Sequence, residues 1–88
     1  MDHTHRGPPI EYRLEEAPVS AAEYEQFYKT LTPVDGSHSI SDGFYEKAGR
    51  RLPAGMQIHH ARNADGEEFV VIESYGVELP TIHGIKRA

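Results

Sequence analysis

The chain has 88 residues, a formal net charge of −5 and no cysteine. The length fits one domain and is too short for two ordinary ones. The lack of cysteine excludes a disulfide framework, a thiol nucleophile and a cysteine-based zinc site. The acidic balance makes nucleic acid an unexpected partner, because phosphate binding needs a basic surplus. No apolar run has the length of a membrane span and no signal-peptide region is present, so we expect a cytoplasmic protein that does not enter a membrane.

The first nine residues are polar and end in Gly7-Pro8-Pro9. This composition is typical of a disordered tail. We therefore predict a disordered tail over residues 1–9 and a single α+β domain over residues 10–88.

The tail begins Met1-Asp2-His3, which predicts a Cu(II) site at His3. A free amino terminus with histidine third offers its amine, two backbone nitrogens and the imidazole in one plane, the square-planar nitrogen set that Cu(II) prefers. The alternative is an incidental tail histidine. We expect a Cu(II) titration at neutral pH to show the visible band of a four-nitrogen site, and His3→Ala to lose it. Equal binding by His3→Ala would place the metal elsewhere.

Residues 10–16 alternate apolar and charged side chains, the period of a half-buried strand with Ile10, Tyr12 and Leu14 toward the core. Ser20 and Glu23 then match a capping box, in which each side chain bonds the backbone amide of the other residue. The helix that follows carries an apolar stripe of Tyr24, Phe27, Tyr28 and Leu31.

A second helix is predicted from Ser41 to about Leu52. Ser41 is its cap, and its apolar stripe consists of Phe44, Tyr45, Ala48 and Leu52. Lys47, Arg50 and Arg51 would favour its C-terminal dipole end. Gly43 and Gly49 weaken this helix, and residues 53–55 would terminate it.

The rest of the chain reads as three strands. Residues 56–62 form one, and a turn over residues 63–66 leads into a strand over residues 67–74 that is apolar on both faces and therefore central. Residues 81–86 form a last, short strand. The element order β-α-α-β-β-β predicts an α+β fold, a small, mostly antiparallel sheet with two helices on one face. The predicted core consists of Phe27, Leu31, Phe44, Phe69, Val71 and Ile72.

His59 and His60 are adjacent, so on a strand they point to opposite faces and cannot chelate one metal as a pair. Residues 52–60 are similar to the first strand of HNH nucleases, with His83 near the position of the last histidine. Those nucleases carry that histidine on a helix, whereas the segment before His83 reads as strand. Structural roles for these histidines are the favoured interpretation.

Four residues, Arg50, Arg51, His59 and Arg62, are the predicted partner-binding site. Together they would form a small basic patch for an anion or an acidic partner. The alternative is a solvated face with compensation of the helix dipole. No phosphate-binding glycine loop and no nucleophile motif accompany them, so we expect neither a cofactor nor a catalytic residue.

Residues 12–16 and 18–24, followed later by residues 64–71, resemble the opening strand, first helix and β2–β3 hairpin of GNAT-type N-acetyltransferases. The resemblance covers roughly residues 10–76 and implies the same order of elements. Those enzymes bind the acetyl-CoA pyrophosphate at a glycine-rich turn after the fourth strand. The sequence ends at Ala88 without such a turn, so the resemblance implies a fold and no acetyl transfer.

The leading hypothesis is a small non-enzymatic protein-binding module, acting as an inhibitor, immunity-type or regulatory protein. The alternative is a divergent GNAT-like domain that binds an acyl-CoA or a related small ligand. We expect a monomer or a weak homodimer, with any dimer formed along a sheet edge. Residues 81–86 are the predicted location of that edge.

Overall fold

The computed structural model describes residues 10–88. Within them one helix lies on one face of a seven-stranded sheet. The elements in chain order are β1 (Ile10–Leu14), β2 (Ala17–Val19), α1 (Ala21–Tyr28), β3 (Thr32–Pro33), β4 (Ser39–Lys47), β5 (Arg50–Arg62), β6 (Glu68–Gly76) and β7 (Leu79–Arg87). The face that carries α1 is called the helix face below, and the opposite one the bare face.

The sheet has the strand order β2-β1-β7-β6-β5, with β3 and β4 both on the far side of β5. All neighbours are antiparallel except β1 and β7, which are parallel. A parallel pair needs a long connection between its strands, and here that connection contains α1 and the other strands. The helix packs against β1 and covers only one end of its face.

The predicted α+β fold with two helices on one face is wrong, because the described part of the chain has a single short helix and is mostly sheet. Residues 41–52, predicted to be the second helix, form β4, a two-residue turn and the start of β5. Gly43 and Gly49 each disfavour a helix by about 1 kcal/mol. Pairing of β4 along β5 offers the same residues a complete antiparallel ladder.

The turn between β4 and β5 consists of Ala48 and Gly49, both with positive φ, of 52° and 77°. Positive φ at both central residues defines the type I′ turn, whose twist matches that of the flanking strands. The usual sequence signal is Asn or Asp before Gly, and Ala48 replaces it here. The hairpin therefore lacks the short-range signal that would have indicated it.

The first predicted helix is confirmed, with its capping box. The Ser20 hydroxyl accepts from the Glu23 amide at 3.1 Å, and the Glu23 carboxylate accepts from the Ser20 amide at 3.1 Å. The helix ends at Tyr28, and Leu31, the last residue of the predicted stripe, lies beyond it, partly buried against the core.

Replacement of Ser20 by alanine should lower the free energy of unfolding by about 1 kcal/mol, because the Glu23 amide loses its acceptor. Urea denaturation of Ser20→Ala measures this. The exposed strand residue Ser39 provides the matched control, since Ser39→Ala removes a hydroxyl without removing a cap. Equal denaturation midpoints for both variants would show that the box contributes nothing.

The core lies between α1 and the helix face of the sheet. Its buried side chains are Tyr24, Ala61, Phe69, Val71 and Ile85. Burial is confirmed for Phe69 and Val71, and Phe27 and Leu31 pack against the core partly buried. The predicted burial of Phe44 is wrong, because its side chain is 60% exposed. Ile72 is partly buried, but it alternates with Val71 onto the bare face and so lies outside the core beneath α1.

The two edges of the sheet differ. The first is β2, which has three residues and contains Pro18, two features that blunt an edge. The predicted edge at residues 81–86 is wrong, because β7 is interior and pairs with both β6 and β1. The second edge, beyond β5, belongs to β3 and the nine-residue β4.

The helix, with eight residues, is the only one in residues 10–88 and is too short to cross a membrane.

Candidate functional site: an open strand edge and two cavities

Strand β4 is the longest open edge of the described sheet. In residues 10–88 it pairs with β5 alone. Its side chains are almost all exposed, and they include two large apolar ones, Ile40 at 58% exposure and Phe44 at 60%. A long edge with exposed apolar side chains offers a template for another strand.

The backbone groups that β4 presents outward follow from the hairpin register. Lys47 and Arg50 flank a two-residue turn, so they form a hydrogen-bonded pair, and such pairs alternate along an antiparallel ladder. The pair of Phe44 with Pro53 is consequently not hydrogen-bonded across the hairpin. The Pro53 carbonyl indeed points away from β4 and accepts from the Val77 amide at 3.1 Å. The outward amides of β4 are therefore those of Ile40, Asp42, Phe44 and Glu46.

A cavity of about 550 Å³ adjoins this edge and is called the distal cavity. Its lining includes Asp42, Phe44, Pro53, Ala54, Tyr75 and Val77. The Tyr75 ring crosses over Gly55, where an added Cβ would lie 2.9 Å from the ring and from its hydroxyl. Glycine at position 55 therefore lets the ring form the cavity wall. The exposed Val77 and Phe44 make this end of the molecule apolar.

The predicted partner-binding residues are spread along β5. Arg50 and Arg62 stand at its two ends, about 40 Å apart along a strand of this length. Arg50 donates to Glu78 at 3.1 Å, and the Arg51 guanidinium lies 4.4 Å from the centre of the Phe44 ring. His59 lies mid-strand, opposite Val71. The fold thus brings Arg51 against Phe44 and does not gather the four residues into one patch.

A second cavity, of about 380 Å³, lies between α1 and the sheet and is called the tyrosine pocket. Three tyrosines and two histidines contribute aromatic rings to its lining: Tyr12, Tyr24, Tyr28, His59 and His83. The Tyr12 and Tyr24 ring centres are 5.2 Å apart, and Tyr12 stacks on His83 at 5.5 Å. Sequence analysis identified Tyr12, Tyr24 and Tyr28 only as structural residues, because strand β1 and helix α1 meet only in the fold.

Two ionisable groups of the tyrosine pocket have shifted pKa values. Burial, followed by the neighbours Tyr28, Glu73 and Tyr12, raises the pKa of Tyr24 to about 12. Burial, followed by His38 and His60, lowers the pKa of His59. Tyr24 is therefore protonated and His59 is uncharged at neutral pH.

Glu25 and Glu73 are also among the residues that line the tyrosine pocket, and no lysine or arginine is. Glu73 contacts His83, with 3.2 Å between Oε2 and Nε2. Acidic residues therefore outnumber basic ones on this lining. Among residues 10–88, histidine, aspartate and glutamate side chains nowhere gather in a group of three or more that could hold a metal ion. The predicted copper ligand His3 lies outside the described residues.

The predicted histidine geometry holds in part. His59 and His60 point to opposite faces, and His60 approaches Glu68 at 3.1 Å between Nδ1 and Oε2 on the bare face. His83 is on strand β7 and not on a helix. The likeness to HNH nucleases therefore has no structural counterpart here.

No protein-family model, curated protein or solved structure matches this chain. The resemblance to GNAT-type acetyltransferases stays a prediction, and the second helix in its order of elements is a strand in this fold. The open edge, the distal cavity and the tyrosine pocket are therefore interpreted from their own geometry.

Proposed function

We propose that this chain is a small non-enzymatic protein-binding module, and that its partner adds an extended segment to the outer edge of β4. The observation that carries the proposal is the nine-residue edge strand with exposed Ile40 and Phe44 and four outward amides. Strand addition uses main-chain hydrogen bonds for affinity and pockets for alternate side chains for specificity. The distal cavity lies next to the edge and supplies such a pocket.

The charges of β4 define the chemistry of the partner strand. On the helix face, Ile40, Asp42, Phe44 and Glu46 alternate apolar and acidic side chains. Directly opposite cross-strand pairs favour opposite charges and apolar contacts, by roughly 0.2–1 kcal/mol each. The partner segment therefore alternates apolar and basic residues on this face. The net charge of −5 on the whole chain also attracts a basic segment while the two molecules approach each other.

A second copy of the chain complements this edge poorly. Antiparallel pairing of two β4 strands over their full length would centre on Gly43. It would place Asp42 opposite Phe44 and Glu46 opposite Ile40 of the other copy, so neither carboxylate would meet a basic residue. We therefore expect the monomer to predominate over a homodimer, and sedimentation equilibrium measures this. A tight dimer that Asp42→Pro disrupts would make the second copy the occupant and contradict the proposed partner.

The test is selection of peptides from a displayed random library against the purified chain. We expect the enriched peptides to alternate apolar and basic residues. The double variant Asp42→Lys, Glu46→Lys should bind them about tenfold more weakly, since two cross-strand pairs change from attraction to repulsion. The double variant Asp35→Lys, Asp65→Lys, at two exposed loop positions outside β4, makes the same change in net charge and is the control.

Asp42→Pro tests the backbone part of the same interface. It removes an outward amide, so it should weaken the selected peptides without breaking the pairing with β5. Peptides without the alternating pattern, or peptides that bind the double variant and Asp42→Pro as well as the parent, would contradict the proposed function.

A further inference from the structure

We propose that the tyrosine pocket binds an organic ammonium group, with the rings of Tyr12 and Tyr28, which pack around the buried Tyr24, and the side chains of Glu25 and Glu73 as its recognition elements. This site is separate from the β4 edge and does not depend on the proposed protein partner. The pocket combines a cavity, several aromatic rings and an excess of negative charge in one place.

Four aromatic rings of the pocket lie close together. Tyr24 is central: its ring centre lies 5.2 Å from that of Tyr12, 6.1 Å from that of Tyr28 and 5.9 Å from that of His83. The face of an aromatic ring carries negative partial charge and attracts a cation within about 6 Å. Quaternary and methylated ammonium groups suit such a site because they are large and weakly hydrated.

Two aromatic residues of the pocket are uncharged at neutral pH. Tyr24 is 6% exposed, and its pKa of about 12 keeps its phenol neutral. His59 also stays neutral because its pKa is lowered, so it adds a ring without a competing charge. Glu25 and Glu73 are lining residues, and no lysine or arginine is among them. His83 contacts Glu73, with 3.2 Å between Nε2 and Oε2.

The exposure of the rim allows a ligand to enter. Tyr28 is 42% exposed, and the side chains of Glu73 and His83 are 36% and 28% exposed. The cavity volume of about 380 Å³ is within the range of small-ligand sites. The ammonium group can belong to a free small molecule or to a methylated lysine side chain of a protein. The experiment below distinguishes these two ligands.

The experiment compares choline with its uncharged isostere 3,3-dimethyl-1-butanol, both titrated into the 15N-labelled full chain. We expect choline to shift the amide resonances of Tyr12, Tyr28, Glu73 and His83, and to bind at least threefold more tightly than the alcohol. Glu73→Gln and Tyr28→Leu should each weaken choline by about twofold to thirtyfold. Glu16→Gln, at an exposed glutamate outside the pocket, is the matched control for Glu73→Gln and should leave choline binding unchanged.

A second titration identifies which kind of molecule carries the ammonium group. It compares a peptide that contains one trimethyllysine with the same peptide carrying unmodified lysine. Tighter binding of the trimethylated peptide than of choline assigns the site to a protein side chain, and tighter binding of choline assigns it to a free compound. Equal binding of choline and the alcohol would overturn the proposal, because the pocket would then recognise shape alone. Absence of shifts with choline at tens of millimolar would also overturn it, whether or not peptides bind β4.

Discussion

Replacement of Phe69 by alanine should lower the free energy of unfolding by about 3–5 kcal/mol. Phe69 is 4% exposed, and its ring meets Phe27 edge to face with centres 5.3 Å apart. It is one of only six buried apolar residues in the described chain. A small domain has about 5–15 kcal/mol of stability in total, so the variant should be extensively unfolded at 37 °C. Urea denaturation followed by circular dichroism measures the loss.

The same substitution at Phe44 is the matched control. Phe44 is 60% exposed, and its one strong neighbour is the Arg51 guanidinium. Phe44→Ala should lower the free energy of unfolding by about 1 kcal/mol or less. If Phe44→Ala unfolds the chain as far as Phe69→Ala does, the placement of β4 at an exposed edge is wrong.

Proline at position 41 should lower the free energy of unfolding by about 2 kcal/mol, whereas proline at position 42 should cost about 1 kcal/mol or less. The Ser41 amide points toward β5, so its loss leaves the Met56 carbonyl without a ladder partner. The Asp42 amide points outward and has no partner strand in the described chain. Thermal and urea denaturation of Ser41→Pro and Asp42→Pro give the two values.

The stabilities of Ser41→Pro and Asp42→Pro also help to interpret the peptide-binding measurement on Asp42→Pro. If Asp42→Pro is as stable as expected, a loss of peptide affinity reflects the blocked edge and not an unfolded chain. A reversed order, with Asp42→Pro the more destabilised variant, would mean that the outward and inward amides of β4 have been interchanged. The proposed strand addition would then have no open amides at the positions named.

Local signals in the sequence predicted local structure well. The Ser20 and Glu23 pair fixes the start of α1, and Asp65-Gly66 fixes a hairpin turn, because both depend on contacts between residues close in sequence. The apolar run around Val71 correctly predicted a central strand, since it must be covered by neighbours.

The prediction failed where two periodicities fit one segment. Phe44, Tyr45, Ala48 and Leu52 fit a helical stripe, but Ile40, Asp42, Phe44 and Glu46 also fit one face of a strand. What decides between them is the partner strand β5, which lies beyond an Ala48-Gly49 turn without the usual Asn or Asp. Only the assembled ladder makes the strand the better solution.

The tyrosine pocket and the open β4 edge could not be predicted from the sequence for a related reason. The tyrosine pocket joins residues of β1, α1, β5, β6 and β7, and the parallel pairing of β1 with β7 links the two ends of the described chain. Sequence patterns do not reveal that pairing, because residues 81–86 carry only Ile82 and Ile85 as apolar anchors. The same pairing makes β7 interior and leaves β4 as the long open edge.

Native-state amide hydrogen exchange over residues 39–47 tests the proposed open edge most directly. We predict alternating protection, with slow amides at Ser41, Gly43 and Tyr45 and fast amides at Ile40, Asp42, Phe44 and Glu46. A bound partner peptide should then slow the second set while leaving the first unchanged. Continuous protection through residues 45–52 in the free chain would indicate a helix, and it would contradict both the hairpin and the strand-addition function built on it.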